Sequence, residues 1–133
     1  MCEPATRLAL FSENDLRPAR RAVREFAEQL PFNKKQVAEI TLAVAEACVN
    51  GVRHSPNNGS DPAVTVLAAL AEDHIAIEVV DHGHGFQPAP PVMPSLDAES
   101  GRGIAMMYAL MDHVAIESDP HGTSVRMLKF FPR

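Results

Sequence analysis

The sequence predicts an α/β fold, a two-layer sandwich in which a mixed sheet is covered on one face by helices. Three observations predict it. Two long segments near the start carry apolar residues at helical spacing, Leu16, Ala19, Val23, Phe26, Ala27 and Leu30, then an apolar run from Val37 through Ile40, Leu42 and Val44 to Val49. Strand-like segments follow in two pairs, at 64–71 with 75–80 and at 113–118 with 123–131. Helices this few cannot cover both faces of such a sheet, so its faces should differ in polarity. A length of 133 residues with 46% hydrophobic content suits one domain, residues 1–133, with one core.

Arg7 to Phe11 alternates like a short strand. A helix follows over 12–30; Pro18 sits near its start, where a missing N–H costs little, and Pro31 ends it. Asn33, with Gln36 three residues on, forms a capping box for a second helix over Lys34 to His54. The stretch SPNNGSDP is turn chemistry. Strands at 64–71 and 75–80 then form a hairpin through AEDH, with Ile75, Ile77 and Val79 on one face. The connection DHGHGFQPAPPVMPSLDAESGRG is too long for an ordinary loop, and such loops are often lids or binding loops. A short helix, IAMMYALM, and two strands joined by DPHG complete the order β, α, α, β, β, lid, α, β, β.

Two stretches carry chemistry. In the second helix, Glu46, Asn50 and His54 stand four residues apart and so line one face of an otherwise apolar rod. A buried carboxylate costs several kcal/mol unless it is paired or its pKa shifts, so the ridge is either satisfied internally or faces a cavity. In the long loop, Gly83 and Gly85 open the segment and Gly101 and Gly103 close it, just before a helix. Glycines let a ligand approach the main chain, and the free N–H groups of a helix start form an anion site. Asp81 ends a strand immediately before the first glycine, where its carboxylate can accept a hydrogen bond from a ligand's amino group. His82 and His84 form an H-x-H pair without further ligands nearby.

A net charge of −5 argues against a general nucleic-acid binder. No stretch approaches the ~20 apolar residues of a membrane span, and the start of the chain lacks a long apolar signal region. Cys2 and Cys48 suggest no disulfide framework, so the expected setting is a reducing cytoplasm. Against the acidic background, Arg17, Arg20, Arg21 and Arg24 form a continuous basic stripe on the first helix. It reads either as a solvated face with Arg21–Glu25 and Arg24–Glu28 pairs or as a docking surface for an acidic partner.

Four motifs occur in order. EACVNGVRH (Glu46 to His54) resembles the N box of the Bergerat-type ATP-binding fold of the GHKL superfamily. DHGHGF (Asp81 to Phe86) resembles its D-x-G-x-G box, GRGIAMM (Gly101 to Met107) its second glycine box, and GTSVRM (Gly122 to Met127) the last one. The small size, the EAxxN helix and the run GRGI…ALMDHV look most like the anti-sigma factor serine/threonine kinases.

The resemblance implies a histidine kinase-like ATPase domain with a flexible lid at about 86–100. It implies that Asn50 coordinates Mg²⁺ bridging the ATP phosphates and that Glu46 acts on the attacking hydroxyl. Asp81 would bind the adenine amino group, with Thr123 beside it and Gly83 and Gly85 at the lid hinge. Gly101 and Gly103 would give N–H groups to the phosphates, with Arg102 and Ile104 of the same box also at the nucleotide. The implied partners are a sigma factor and an anti-anti-sigma (STAS-domain) protein that is phosphorylated, with the first helix taking part in partner binding and in homodimer contacts. Direct nucleic-acid and membrane contacts are not expected. A second reading stays open, a nucleotide-binding module that sequesters a partner without transferring phosphate.

Overall fold

The computed structural model describes residues 3–55, 61–83 and 99–133. Its elements are β1 (Glu3–Leu10), α1 (Leu16–Glu28), α2 (Lys34–His54), β2 (Val64–Leu70), β3 (His74–Asp81), α3 (Glu99–Leu110), β4 (His113–Asp119) and β5 (Gly122–Phe130). The five strands form one sheet in the order β1-β2-β3-β5-β4. Helices α1, α2 and α3 form the second layer, with α2 in contact with both others.

The element order is the expected one, but the expected mixed sheet is corrected: every pairing is antiparallel. The crossover through α3 does return β4 in the same sense as β3. The hairpin from β4 then inserts β5 between them, so the two parallel strands never become neighbours.

The first helix also starts later than expected. Ser12 and Asp15 build a capping box around a short 3-10 turn, Glu13–Asp15, before α1 begins. The box at the start of α2 is as expected: Gln36 N–H donates to Asn33 Oδ1 at 2.8 Å, and Asn33 N–H donates to Gln36 Oε1 at 3.0 Å. Helix α3 begins at Glu99, so Gly101 and Gly103 lie inside it and not ahead of it.

The core is where the inner sheet face meets α2. Val64, Val66, Ile75, Ile77, Val79, Val125 and Met127 pack with Ile40, Val44, Ala47 and Cys48. Each fully buried aliphatic side chain contributes about 1.5–3 kcal/mol, and that apolar interface sets how deep α2 sits. Cys48 behaves as a core residue, with burial pushing its thiol up to about 12. Lys129 is buried too; its Nζ donates to Glu39 Oε1 at 3.2 Å and to the carbonyl of Leu110, tying β5 to α2 and to the end of α3. The other sheet face is open and mixed, with Glu78 accepting from Ser124 at 2.7 Å and pairing with Arg126 at 3.5 Å.

Candidate functional site

Close packing at one end of α2 creates the site. At Gly51, a Cβ would lie 2.6 Å from Val64 Cγ2 and 3.3 Å from Asp81 Cβ. Only a residue without a side chain lets α2 come this near β2 and β3, and this brings Asn50 to the end of β3. The pairing of β3 with β5 sets Asp81 opposite Thr123. Gly122, at a φ of 153°, takes the turn before it; a Cβ there would sit 2.1 Å from the Asp81 carbonyl oxygen.

Asp81 is 8% exposed and its Oδ1 accepts two backbone N–H groups, from Gly83 and Thr123, each at 3.1 Å. One carboxylate oxygen is thus committed to holding the strand end and the glycine hinge. Oδ2 is in none of these bonds. Burial pushes the carboxyl above its ordinary pKa; the N–H groups of Gly83 and Thr123, then His54 and His82, pull it partly back. Gly83 packs against the end of α2, since a Cβ would lie 2.2 Å from the His54 carbonyl oxygen.

Glu46 and Asn50 keep the one-turn spacing and face α3. A Cβ at Gly103 would lie 2.7 Å from Glu46 Oε2 and 3.6 Å from Asn50 Nδ2. The glycine therefore makes room for the carboxylate. His54, the third residue of the ridge, is exposed, and its Nδ1 donates to the Asn50 carbonyl at 2.7 Å.

A small cavity of about 10 Å³ joins these groups, lined by Asn50, Gly51, Asp81, Ile104, Met107 and Thr123 among others. Its volume in this structure is too small for a purine ring. A larger depression of about 740 Å³ lies on the open sheet face over Ala76, Ala115 and Arg126, and none of the candidate nucleotide-binding residues lines it.

The structure thus gathers Glu46, Asn50, Asp81, Gly83, Gly103, Ile104 and Thr123. Gly101 and Arg102 lie in the first turn of α3, where N–H groups lack intrahelical partners. The Arg102 side chain, Gly85, His84 and the lid as far as residue 98 lie outside the described residues. Among the described residues, no cluster of His, Cys, Asp and Glu could hold a metal. Arg17, Arg20, Arg21 and Arg24 are all exposed, away from the cavity. None of them pairs with a described carboxylate, so the expected Arg21–Glu25 and Arg24–Glu28 pairs are absent among the described residues. Sequence reasoning missed two residues here. Gly51 had a signal, an Asn-Gly step inside a helix. Ser118, whose Oγ lies 3.0 Å from Thr123 Oγ1, had none.

This two-layer fold, with a polar ridge on its central helix facing glycine boxes, is that of a histidine kinase-like ATPase domain. Residues 11–129 match the family described by that name, and the chain belongs to it. It is 34% identical over 120 residues to an anti-sigma F factor of Clostridium botulinum, covering 85% of this chain and 84% of that protein. It is 32% identical over 114 residues to the serine-protein kinase RsbW of Bacillus velezensis, covering 78% and 71%. Within the family the chain therefore falls with the anti-sigma factor serine/threonine kinases. Among solved structures, the RsbU and RsbW domains of a Mycobacterium tuberculosis protein superpose with a TM-score of 0.75 at 23% identity, covering 98% of this chain and 34% of that longer one. The histidine kinase domain of a blue-light activated kinase from Erythrobacter litoralis superposes at 0.62, with 14% identity over 87% of this chain and 59% of that one.

Proposed function

We propose that this chain is an ATP-dependent protein serine kinase that phosphorylates an anti-anti-sigma (STAS-domain) protein and sequesters a sigma factor, acting as a cytoplasmic homodimer. The observation that carries the reading is the convergence of Glu46 and Asn50 on Gly103, beside the Asp81–Thr123 pair. The residues suit ATP with Mg²⁺. The Asp81 oxygen outside the backbone clamp would accept from the adenine amino group. The amide oxygen of Asn50 is a hard ligand of the kind Mg²⁺ takes alongside phosphates and waters. That ion, when bound, would neutralise phosphate charge.

Glu46 is half-buried and close to where the phosphates would lie. It would take the proton of the substrate serine hydroxyl as that oxygen bonds to the γ-phosphorus. The bond to the β–γ bridging oxygen breaks, and ADP leaves with it. Gly101 would offer its N–H group to phosphate at the start of α3, Gly83 and Gly85 would hinge the lid, and Arg102 would meet the γ-phosphate. Among the described residues, no helix is long and apolar enough to cross a membrane.

The direct test is incubation of the chain with γ-labelled ATP, Mg²⁺ and a purified STAS-domain protein. Label on a serine or threonine of that protein supports the kinase; its absence, with ATP still bound, favours the sequestering module. The metal role has its own readout. Asn50→Ala is expected to weaken ATP affinity about tenfold or more in Mg²⁺, a loss on the scale of a hydrogen bond to a charged group, and much less in excess chelator. Equal losses in both conditions would remove Asn50 as a ligand.

The basic stripe supports the partner half of the reading. Arg20, Arg24 and Lys34, with the single carboxylate of Glu28, line a cleft of about 530 Å³ between α1 and α2 that also holds Phe32, Val37 and Leu42. An acidic partner surface fits this charge. Arg20→Glu with Arg21→Glu is expected to leave ATP affinity unchanged while capture of the sigma factor falls at least tenfold. Undiminished capture would return the stripe to a solvated face.

A further inference from the structure

Resting on the nucleotide reading above, the geometry points to Ser118 as a positioning residue for base recognition, one that aims the hydroxyl of Thr123 at the adenine edge. Successive rungs of paired residues cross β3, β5 and β4. Pairing aligns Ile77, Met127 and Val114 in one rung and Val79, Val125 and Ile116 in the next. Both rungs are apolar and both belong to the core or pack on it. The following rung on the same face is Asp81, Thr123 and Ser118, and every member is polar. It lies at the end of the core, where the small cavity begins.

The hydrogen bonds within this rung leave one question open to Ser118. Asp81 Oδ1 is occupied by the N–H groups of Gly83 and Thr123. The Thr123 backbone is therefore used, and its hydroxyl is the group left to read a ligand. That hydroxyl is 5% exposed by residue and lies 3.0 Å from Ser118 Oγ. A hydroxyl has one proton to donate and two lone pairs to accept with.

If Thr123 donates to Ser118, the rung shows a ligand two acceptors side by side, Asp81 and Thr123. If Ser118 donates to Thr123, the Thr123 proton turns away toward the cavity. The rung then presents an acceptor at Asp81 and a donor at Thr123. Adenine carries the complement, an amino donor at position 6 next to an acceptor at N1. Ser118 selects this pattern by donating to Thr123, which then reaches N1 directly or through one water. Ser118 itself touches no part of the base; it acts through Thr123.

The test compares ATP with 1-deaza-ATP, in which N1 is replaced by C–H, by calorimetry on the full chain. The wild type is expected to prefer ATP about fivefold to tenfold, the scale of one neutral hydrogen bond. Ser118→Ala is expected to bring the ratio to about twofold or less, because the Thr123 hydroxyl is then free to rotate, and Ser118→Thr to restore it. A merely structural role would weaken both nucleotides alike and leave the ratio at its wild-type value.

Ser118 lies near the end of an edge strand and is exposed, so the alanine variant should fold. Should it not, Ser118→Cys keeps the volume with a weak donor, and its ratio should fall in the same direction. An unchanged ratio in the variant, or a wild type that does not distinguish the two nucleotides while binding ATP, overturns the inference and leaves the nucleotide reading standing. A folded wild type that binds neither nucleotide overturns both.

Discussion

Glu46→Gln is expected to bind ATP and Mg²⁺ nearly as the wild type does, while phosphoryl transfer to the STAS-domain partner falls about 10²-fold or more, the scale of a lost general base. The geometry argues for this split. Glu46 stands one helical turn from Asn50 on the face of α2 that meets Gly103, with its Oε2 in the space that a side chain at position 103 would need. Glutamine keeps the size of the side chain, so the close passage of α3 is preserved and with it the shape of the nucleotide site. What it cannot do is accept the serine proton. Single-turnover transfer of label, beside equilibrium ATP binding, separates the two effects. Stability should not fall, because a half-buried carboxylate gains nothing from its charge unless a partner is present. Sigma-factor capture should persist if it depends only on the nucleotide-bound shape. A variant that transfers phosphate at the wild-type rate would make Glu46 structural and move the balance to the sequestering module.

Asp81→Asn carries the second large effect, in binding rather than chemistry. The substitution retains an oxygen for the N–H groups of Gly83 and Thr123 but turns an NH₂ toward the base, donor against donor. Loss of a hydrogen bond to a charged acceptor, with a repulsion in its place, should weaken ATP binding about 10²-fold. Folding should respond in the opposite sense. Burial raises the Asp81 pKa in the fold, so its stabilising contribution is full below the ordinary carboxylate value of ~3.9 and is lost as pH rises through the elevated value. At neutral pH the ionised group therefore costs stability, and the asparagine variant should melt at the same temperature as the wild type or higher. Calorimetric titration with ATP and a thermal melt check both halves. Unchanged affinity in a folded variant would remove the adenine assignment.

Much of this was legible in the chain because the signals are local. A carboxylate and an amide one turn apart in an apolar helix mark a face, and the Asn33–Gln36 box marks where that helix starts. The start of α3 was not legible. Glycine costs about 1 kcal/mol relative to alanine in a helix, so local propensity argues against a helix through Gly101 and Gly103. Contact with α2 outweighs that cost, and Gly103 earns its place by admitting Glu46. Ser118 was invisible because a serine at the last position of a strand segment carries no local signal of what lies across from it. Its meaning appears only once β4 pairs with β5 and sets it opposite Thr123.

By itself, the sequence determined the element types and their order, the capping of α2 and the four motifs in their order along the chain. These depend on periodicity and on neighbours within a few residues, which any stretch of chain carries with it. Only the tertiary structure decided that the sheet is antiparallel throughout, that Gly51 brings α2 against Asp81, and that Glu46, Asn50 and Gly103 meet. Those outcomes depend on which strand inserts where and on how closely a helix can approach a sheet. Both are settled by packing between segments far apart in sequence, where a single Cβ or one strand of register decides the contact.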